Sequence, residues 1–134
     1  MNSRYLCPVC KSDLKIKNSL IFSAHTENGV HGLVLLSPEL GNYEIIHSPE
    51  FIYSDGERVE FYCPVCHSDL SNREVNSNMV EVYMIDETGS SYKIIFSKIA
   101  GKKCTIKMKE ECIVEFYGPD IEEFWNFWGS GPRY

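Results

Sequence analysis

Apolar positions in this chain come in short runs, many alternating with polar ones, and turn-forming residues stand between the runs. A period of two bounded by turns predicts strands. Leu20 to Ala24 is one run, Glu27-Asn28-Gly29 turns the chain, and Val30 to Ser37 returns. Pro38 to Asn42 turns again into Tyr43 to His47, and Ser54-Asp55-Gly56 precedes Arg58 to Tyr62. Ser71 to Asn78 is polar and reads as a loop. Val80 to Ile85 and Tyr92 to Phe96 then flank Asp86-Glu87-Thr88-Gly89 as a hairpin. Lys103 to Met108 follows Gly101, and Cys112 to Tyr117 follows a reversal near Lys109-Glu110-Glu111. The stretch from Val80 to Tyr117 predicts an antiparallel meander.

Within that meander, Cys104, Ile106 and Met108 fall on one strand face, and Cys112, Val114 and Phe116 on one face of the next. Both sets are expected in the core, where a free cysteine behaves as a small hydrophobe. Lys103, Thr105, Lys107 and Lys109 occupy the opposite face. The period changes only at the end of the chain. Pro119 suits a first helical position, and Asp120, Glu122 and Glu123 suit the positive end of a helix dipole. Ile121, Phe124, Trp125 and Trp128 then mark one apolar helical face, and Gly129 is placed to stop it. A helix so short must dock on something, and the meander is the expected support. Phe124, Trp125, Phe127 and Trp128 are the candidate partner-binding residues, because aromatics are enriched at interfaces.

The fold class expected from this pattern is mainly β, with one short C-terminal helix. With 134 residues the chain can bury a core without disulfides. The hydrophobic share of 43% and charged share of 24% are ordinary globular values and argue against disorder over the whole chain. Residues 1–74 and 75–134 form the two expected regions, which can also make one compact unit.

One phrase changes the picture. Cys7-Pro8-Val9-Cys10-Lys11-Ser12-Asp13-Leu14 recurs as Cys63-Pro64-Val65-Cys66-His67-Ser68-Asp69-Leu70, with a single letter altered. Two residues between cysteines let the backbone curl so that both sulfurs meet one ion, and proline presets the turn. Two such knuckles supply four sulfurs, which suits one tetrahedral zinc and excludes magnesium and calcium. The pattern resembles the zinc-ribbon and rubredoxin-like family of two-knuckle metal sites. That resemblance implies a zinc ribbon with a long insertion between its knuckles, since Cys10 and Cys63 stand far apart. Rubredoxins favour glycine after the second cysteine of a knuckle, and Lys11 and His67 occupy those places here, so structural zinc is preferred to iron. There is a looser similarity to the zinc domains of some bacterial antitoxins, which open on a CPxC knuckle, but no helix-turn-helix pattern accompanies it.

A second repetition is weaker. Tyr43-Glu44-Ile45-Ile46-His47-Ser48 is similar to Tyr92-Lys93-Ile94-Ile95-Phe96-Ser97. Together with the knuckles it suggests an internal repeat of the form knuckle, hairpin, knuckle, hairpin.

The function classes narrow accordingly. The net charge of -6 gives no long-range attraction to nucleic acid or to an anionic membrane. Lys103, Lys107 and Lys109 remain a weak candidate phosphate contact, and acidic neighbours dilute them. His25, His31, His47 and His67 show no metal-ligand spacing, and there is no readable catalytic constellation, GxGxxG or Walker A motif. The first six residues contain no apolar stretch of the signal-peptide kind, and no run is long enough to span a bilayer. The expectation is a cytoplasmic, non-enzymatic zinc-binding module with Cys7, Cys10, Cys63 and Cys66 as ligands and an unknown protein partner. A nucleic-acid-associated zinc ribbon and a thiol-based redox or metal-responsive switch are the alternatives.

Overall fold

The computed structural model describes residues 3–72, 78–110 and 112–120. They form ten strands in chain order: β1 (Arg4–Leu6), β2 (Lys15–Ile16), β3 (Ser19–Thr26), β4 (His31–Leu36), β5 (Ile45–His47), β6 (Val59–Tyr62), β7 (Met79–Ile85), β8 (Ser91–Ser97), β9 (Thr105–Lys109) and β10 (Cys112–Tyr117). Every pairing is antiparallel. One sheet runs β1-β7-β8-β9-β10. The other runs β2-β3-β4-β5, with β6 beside β2 on the same edge of β3.

The expected meander is present as β7 to β10. Strict alternation along β3 turns Leu20, Phe22, Ala24 and Thr26 inward and Ile21, Ser23 and His25 outward. The inward faces of the two sheets pack on each other. Phe22 of β3, Phe61 of β6 and Phe96 of β8 meet edge to face, with centroids 5.4 to 5.9 Å apart. Tyr5, Val34, Val80, Val82, Met84 and Ile94 complete this core. A second apolar cluster, Met79, Ile95, Cys104, Ile106 and Met108, lies on the other face of the first sheet. Cys104, Ile106 and Met108 are thus buried, as their alternation predicts.

The partner alternation on β10 is not buried. Cys112, Val114 and Phe116 are all exposed. The register slips between Ile113 and Glu115, so Ile113 faces Met108 and Phe116 faces Ile106. Cys112 stands opposite Lys109, away from the second apolar cluster, and Phe116, although opposite Ile106, stays exposed on the edge strand. Thr105 also departs from the expected solvated face. It stands opposite Phe96, whose other neighbour is Val80, and it is buried.

The two hairpin systems share one register. Ala24–Gly32 and Leu36–Ile45 in the second sheet correspond to Met84–Tyr92 and Phe96–Thr105 in the first, every member displaced by 60 residues. In pairing, β3, β4 and β5 therefore match β7, β8 and β9. This changes the correspondence drawn from the Tyr-x-Ile-Ile phrases, since Tyr92 to Ser97 is in central β8, whereas Ile45 to His47 is the edge strand matching β9. The knuckle strands are exchanged. Tyr5 of β1 pairs with Met84 of β7, and Phe61 of β6 pairs with Ala24 of β3. Hydrogen bonding thus crosses the boundary at 74/75. The segment between the knuckles, expected as an insertion of β-hairpins, supplies all five strands of the second sheet, β2 to β6.

Among the described residues there is no helix. The helix expected after Pro119 lies outside them apart from Pro119 and Asp120, which are in a turn. Phe124, Trp125, Phe127 and Trp128 also lie outside them. Among the described residues no helix is long and apolar enough to cross a membrane.

Candidate metal centre

Each knuckle begins where a strand ends. β1 leads into Cys7 and β6 into Cys63. The amide of Lys11 donates to the Cys7 carbonyl at 3.0 Å, and the amide of His67 to the Cys63 carbonyl at 2.9 Å. The amides of Cys7 and Cys63 bond in turn to the carbonyls of Ser12 and Ser68. Leu14 and Leu70 return to the carbonyls of Tyr5 and Phe61 at 2.7 and 3.0 Å and anchor the loops in the core. To close so tightly, each loop places its fifth residue in the left-handed region. Lys11 and His67 both have φ of 64°. These are the places where the resembling family favours glycine, and the reason is backbone geometry.

The exchange of strands brings both knuckles to one point. The sulfurs of Cys7, Cys10, Cys63 and Cys66 all lie within 4.8 Å of one another. Cys7 Sγ is 3.7 Å from Cys66 Sγ, and Cys10 Sγ is 3.7 Å from Cys63 Sγ. Cys7 and Cys63 are fully buried, and Cys10 and Cys66 partly so. Backbone amides point at the inner sulfurs. Val9 and Cys10 donate to Cys7 Sγ at 3.3 and 3.4 Å, and Val65 and Cys66 to Cys63 Sγ at 3.3 and 3.5 Å.

The two classes of cysteine differ in acidity. Burial pushes the Cys63 thiol up to about 12 and raises Cys7 as well. The Ser12 side chain and backbone bring Cys10 down to about 6, and Ser68 lowers Cys66 in the same way. The Ser68 hydroxyl lies 3.2 Å from Cys66 Sγ. The serines of the repeated phrase thus stabilise the outer thiolates, and the amides serve the inner ones. Four sulfurs in this arrangement can hold one metal ion. Among the described residues no histidine or carboxylate joins the group. His25 and His31 stack on each other instead, with ring centroids 4.2 Å apart.

The lysines do not assemble into one free patch. Lys107 Nζ is 3.2 Å from Glu115 and sits 4.2 Å from the centre of the Tyr92 ring, which Lys109 also approaches. Lys103 is exposed, and its backbone amide donates to Asp120. Lys98 is buried. Its ammonium meets Glu60 at 2.6 Å and the Ser71 hydroxyl, while Arg58 holds the other Glu60 oxygen at 2.6 Å. Lys98 and Glu60 stand 38 residues apart in sequence, so no local pattern announces this cluster. No family model matches the chain, and neither the curated proteins nor the solved structures give a match.

Proposed function

We propose that the protein is a zinc-stapled, non-enzymatic module whose task is to present a protein-interaction surface. The observation that carries the metal reading is the convergence of four sulfurs from two exchanged strands. A tetrahedral ion with bonds of about 2.3 Å to sulfur needs sulfurs roughly 3.8 Å apart, and the Cys7–Cys66 and Cys10–Cys63 sulfurs are each separated by 3.7 Å. Soft thiolates and the tetrahedral arrangement favour zinc. With all four places taken by protein sulfur, a catalytic water has no position on the ion, so its role is structural.

The surface reading rests on sheet β2-β3-β4-β5. Its outer face carries Ile16, Leu33 and Ile46 at 56%, 58% and 62% exposure, alongside Ile21 and Leu35. A contiguous apolar sheet face without charges at its centre marks an interaction site. The basic side chains favour this over a nucleic-acid role, because Lys98 is buried against Glu60 and Lys107 is paired with Glu115.

Elemental analysis of untagged protein, with circular dichroism before and after chelation, tests the reading. One zinc per chain and loss of structure on chelation are expected, as is capture of protein in pull-downs with the metal-loaded form. Absence of metal, or recovery of nucleic acid alone, would overturn it.

A further inference from the structure

The edge strand β5 has a counterpart that shows how it can be used. β5 pairs with β4 alone, and among the described residues nothing hydrogen-bonds to its other edge. Ile45, Ile46 and His47 are all exposed. In register β5 matches β9, and the corresponding edge of β9 is occupied. There β10 places Tyr117 opposite Thr105, Phe116 opposite Ile106 and Glu115 opposite Lys107. The matching positions on β5 are Ile45, Ile46 and His47. Ile106 is fully buried, whereas Ile46 is 62% exposed. Two strands in the same relation to their hairpins thus differ in that, among the described residues, one carries a neighbour and the other does not.

A cavity of about 140 Å³ lies beside this edge, between the two sheets. Ile45, Leu36, Phe51, Tyr53, Phe61 and Phe96 line it. An apolar cavity of roughly 150 Å³ accommodates a benzene ring, and aromatic walls reward an aromatic guest with edge-to-face contacts. Strand addition to a sheet edge combines these features, since main-chain hydrogen bonds supply affinity and a pocket for alternate side chains supplies selectivity. Acidic side chains flank the strand: Glu39, Glu44 and Glu50, all exposed, neighbour it in sequence, and the whole chain carries -6. Lys102 and Lys103, by contrast, stand at the wall of the cavity, so the guest's basic residues flank its aromatic one rather than enter with it.

We propose that β5 is a docking edge for an extended, basic-flanked segment of a partner protein, which pairs antiparallel as β10 does on β9 and seats an aromatic side chain in the cavity beside Ile45. This rests on the interaction-module reading and names the partner chemistry for it.

The test uses the metal-loaded full chain and a synthetic peptide, Lys-Ile-Val-Lys-Phe-Tyr-Lys, derived from β10. Amide hydrogen exchange and chemical shifts are followed by NMR as the peptide is titrated. Saturable binding is expected, with exchange slowed at least tenfold at those amides of Ile45 to His47 that face away from β4. The same peptide N-methylated at alternate residues, tested in both phases, is expected to lose binding in the phase whose amides face β5. Ala100→Leu, which fills the cavity from its wall, is expected to weaken binding at least tenfold while leaving the spectrum of the free protein folded. Unchanged exchange at β5, equal binding of every methylated peptide, or protection mapping to the β1-β7-β8-β9-β10 sheet would overturn the inference. Metal content is measured on the same sample. One zinc per chain with an unprotected β5 sinks the docking edge and leaves the staple standing, whereas a metal-free chain that still protects β5 sinks the staple alone.

Discussion

A charged nitrogen without access to solvent depends on its partners, and the Lys98 ammonium depends on Glu60 and Ser71. Burial alone would raise the Glu60 carboxyl, but Lys98 and Arg58 outweigh it and hold it below the usual carboxylate range. Its ionised form therefore stabilises the fold above that range, and the contribution is lost as pH falls through the lowered folded value. Glu60→Gln strands the ammonium and is expected to cost about 3 kcal/mol in urea denaturation. Lys98→Met is expected to cost less, because Glu60 is partly exposed and keeps Arg58. The Gln variant should also lose part of the acid dependence of stability, and an unchanged pH profile would contradict the assignment. The knuckles offer a second case. His67 holds φ at 64° with a side chain that makes left-handed backbone costly. His67→Gly is expected to raise stability by about 1 kcal/mol, read by thermal unfolding of metal-loaded protein. Lys11→Gly should gain less, since Lys11 Nζ sits 4.6 Å from the centre of the Tyr83 ring and that contact would go.

Among the strands, β10 is held at its end by a close approach. Gly118 has φ of 101°, and a side chain there would meet the Lys103 carbonyl and the Tyr43 hydroxyl. Tyr43 in turn bonds Thr105 at 2.8 Å and the Tyr117 carbonyl at 3.2 Å, tying β10 to the second sheet. Gly118→Ala is expected to cost about 2 kcal/mol, with the strain at a special φ and the clash acting together. Amide exchange along Cys112 to Tyr117 should quicken before that of β7 or β8, and equal acceleration throughout would contradict a local hold. These elements also show where the sequence was legible. β3 to β10 were readable because alternating or continuous apolar runs stood between turn residues such as Gly29, Gly56, Gly89 and Gly101. β1 and β2, of three and two residues, are too short to display a period. The bulge after Ile113 shifts the register of β10, and alternation cannot show a bulge. The exchange of β1 and β6 was hidden for another reason. Pairing Tyr5 with Met84 is decided by packing between distant segments, not by either segment alone. The candidate ligands were legible because a CxxC unit carries its own geometry. The supporting serines and the Lys98 cluster act through folded contacts that the sequence reading did not anticipate.

At the scale of the whole molecule, the candidate ion joins two separate sheets through the strands that lead into the knuckles. Cys7 follows β1, which belongs to the first sheet, and Cys63 follows β6, which belongs to the second. Removing the ion should therefore loosen both exchanged strands together, because each knuckle loses its partner in the same event. The packing of Phe22 on Phe96 between the sheets involves neither exchanged strand, and it is expected to persist without the ion. The expected result of chelation at neutral pH is thus uneven. Hydrogen exchange read by mass spectrometry should rise at Arg4–Leu6, at Val59–Tyr62 and through both knuckles, while the β8–β9 pairing stays better protected. Cys10→Ser and Cys66→Ser should produce the same pattern as each other, since the two cysteines hold matching places. The sign with pH follows from the inner thiols. Burial keeps Cys63, up to about 12, and Cys7 protonated near neutrality, so an incoming cation must displace those protons, and apparent metal affinity rises with pH. Loading should release protons measurably in weakly buffered solution, and acid should empty the site. If chelation freed one exchanged strand and left the other protected, the ion would not be shared between the knuckles, and the staple would have to be assigned to one half alone.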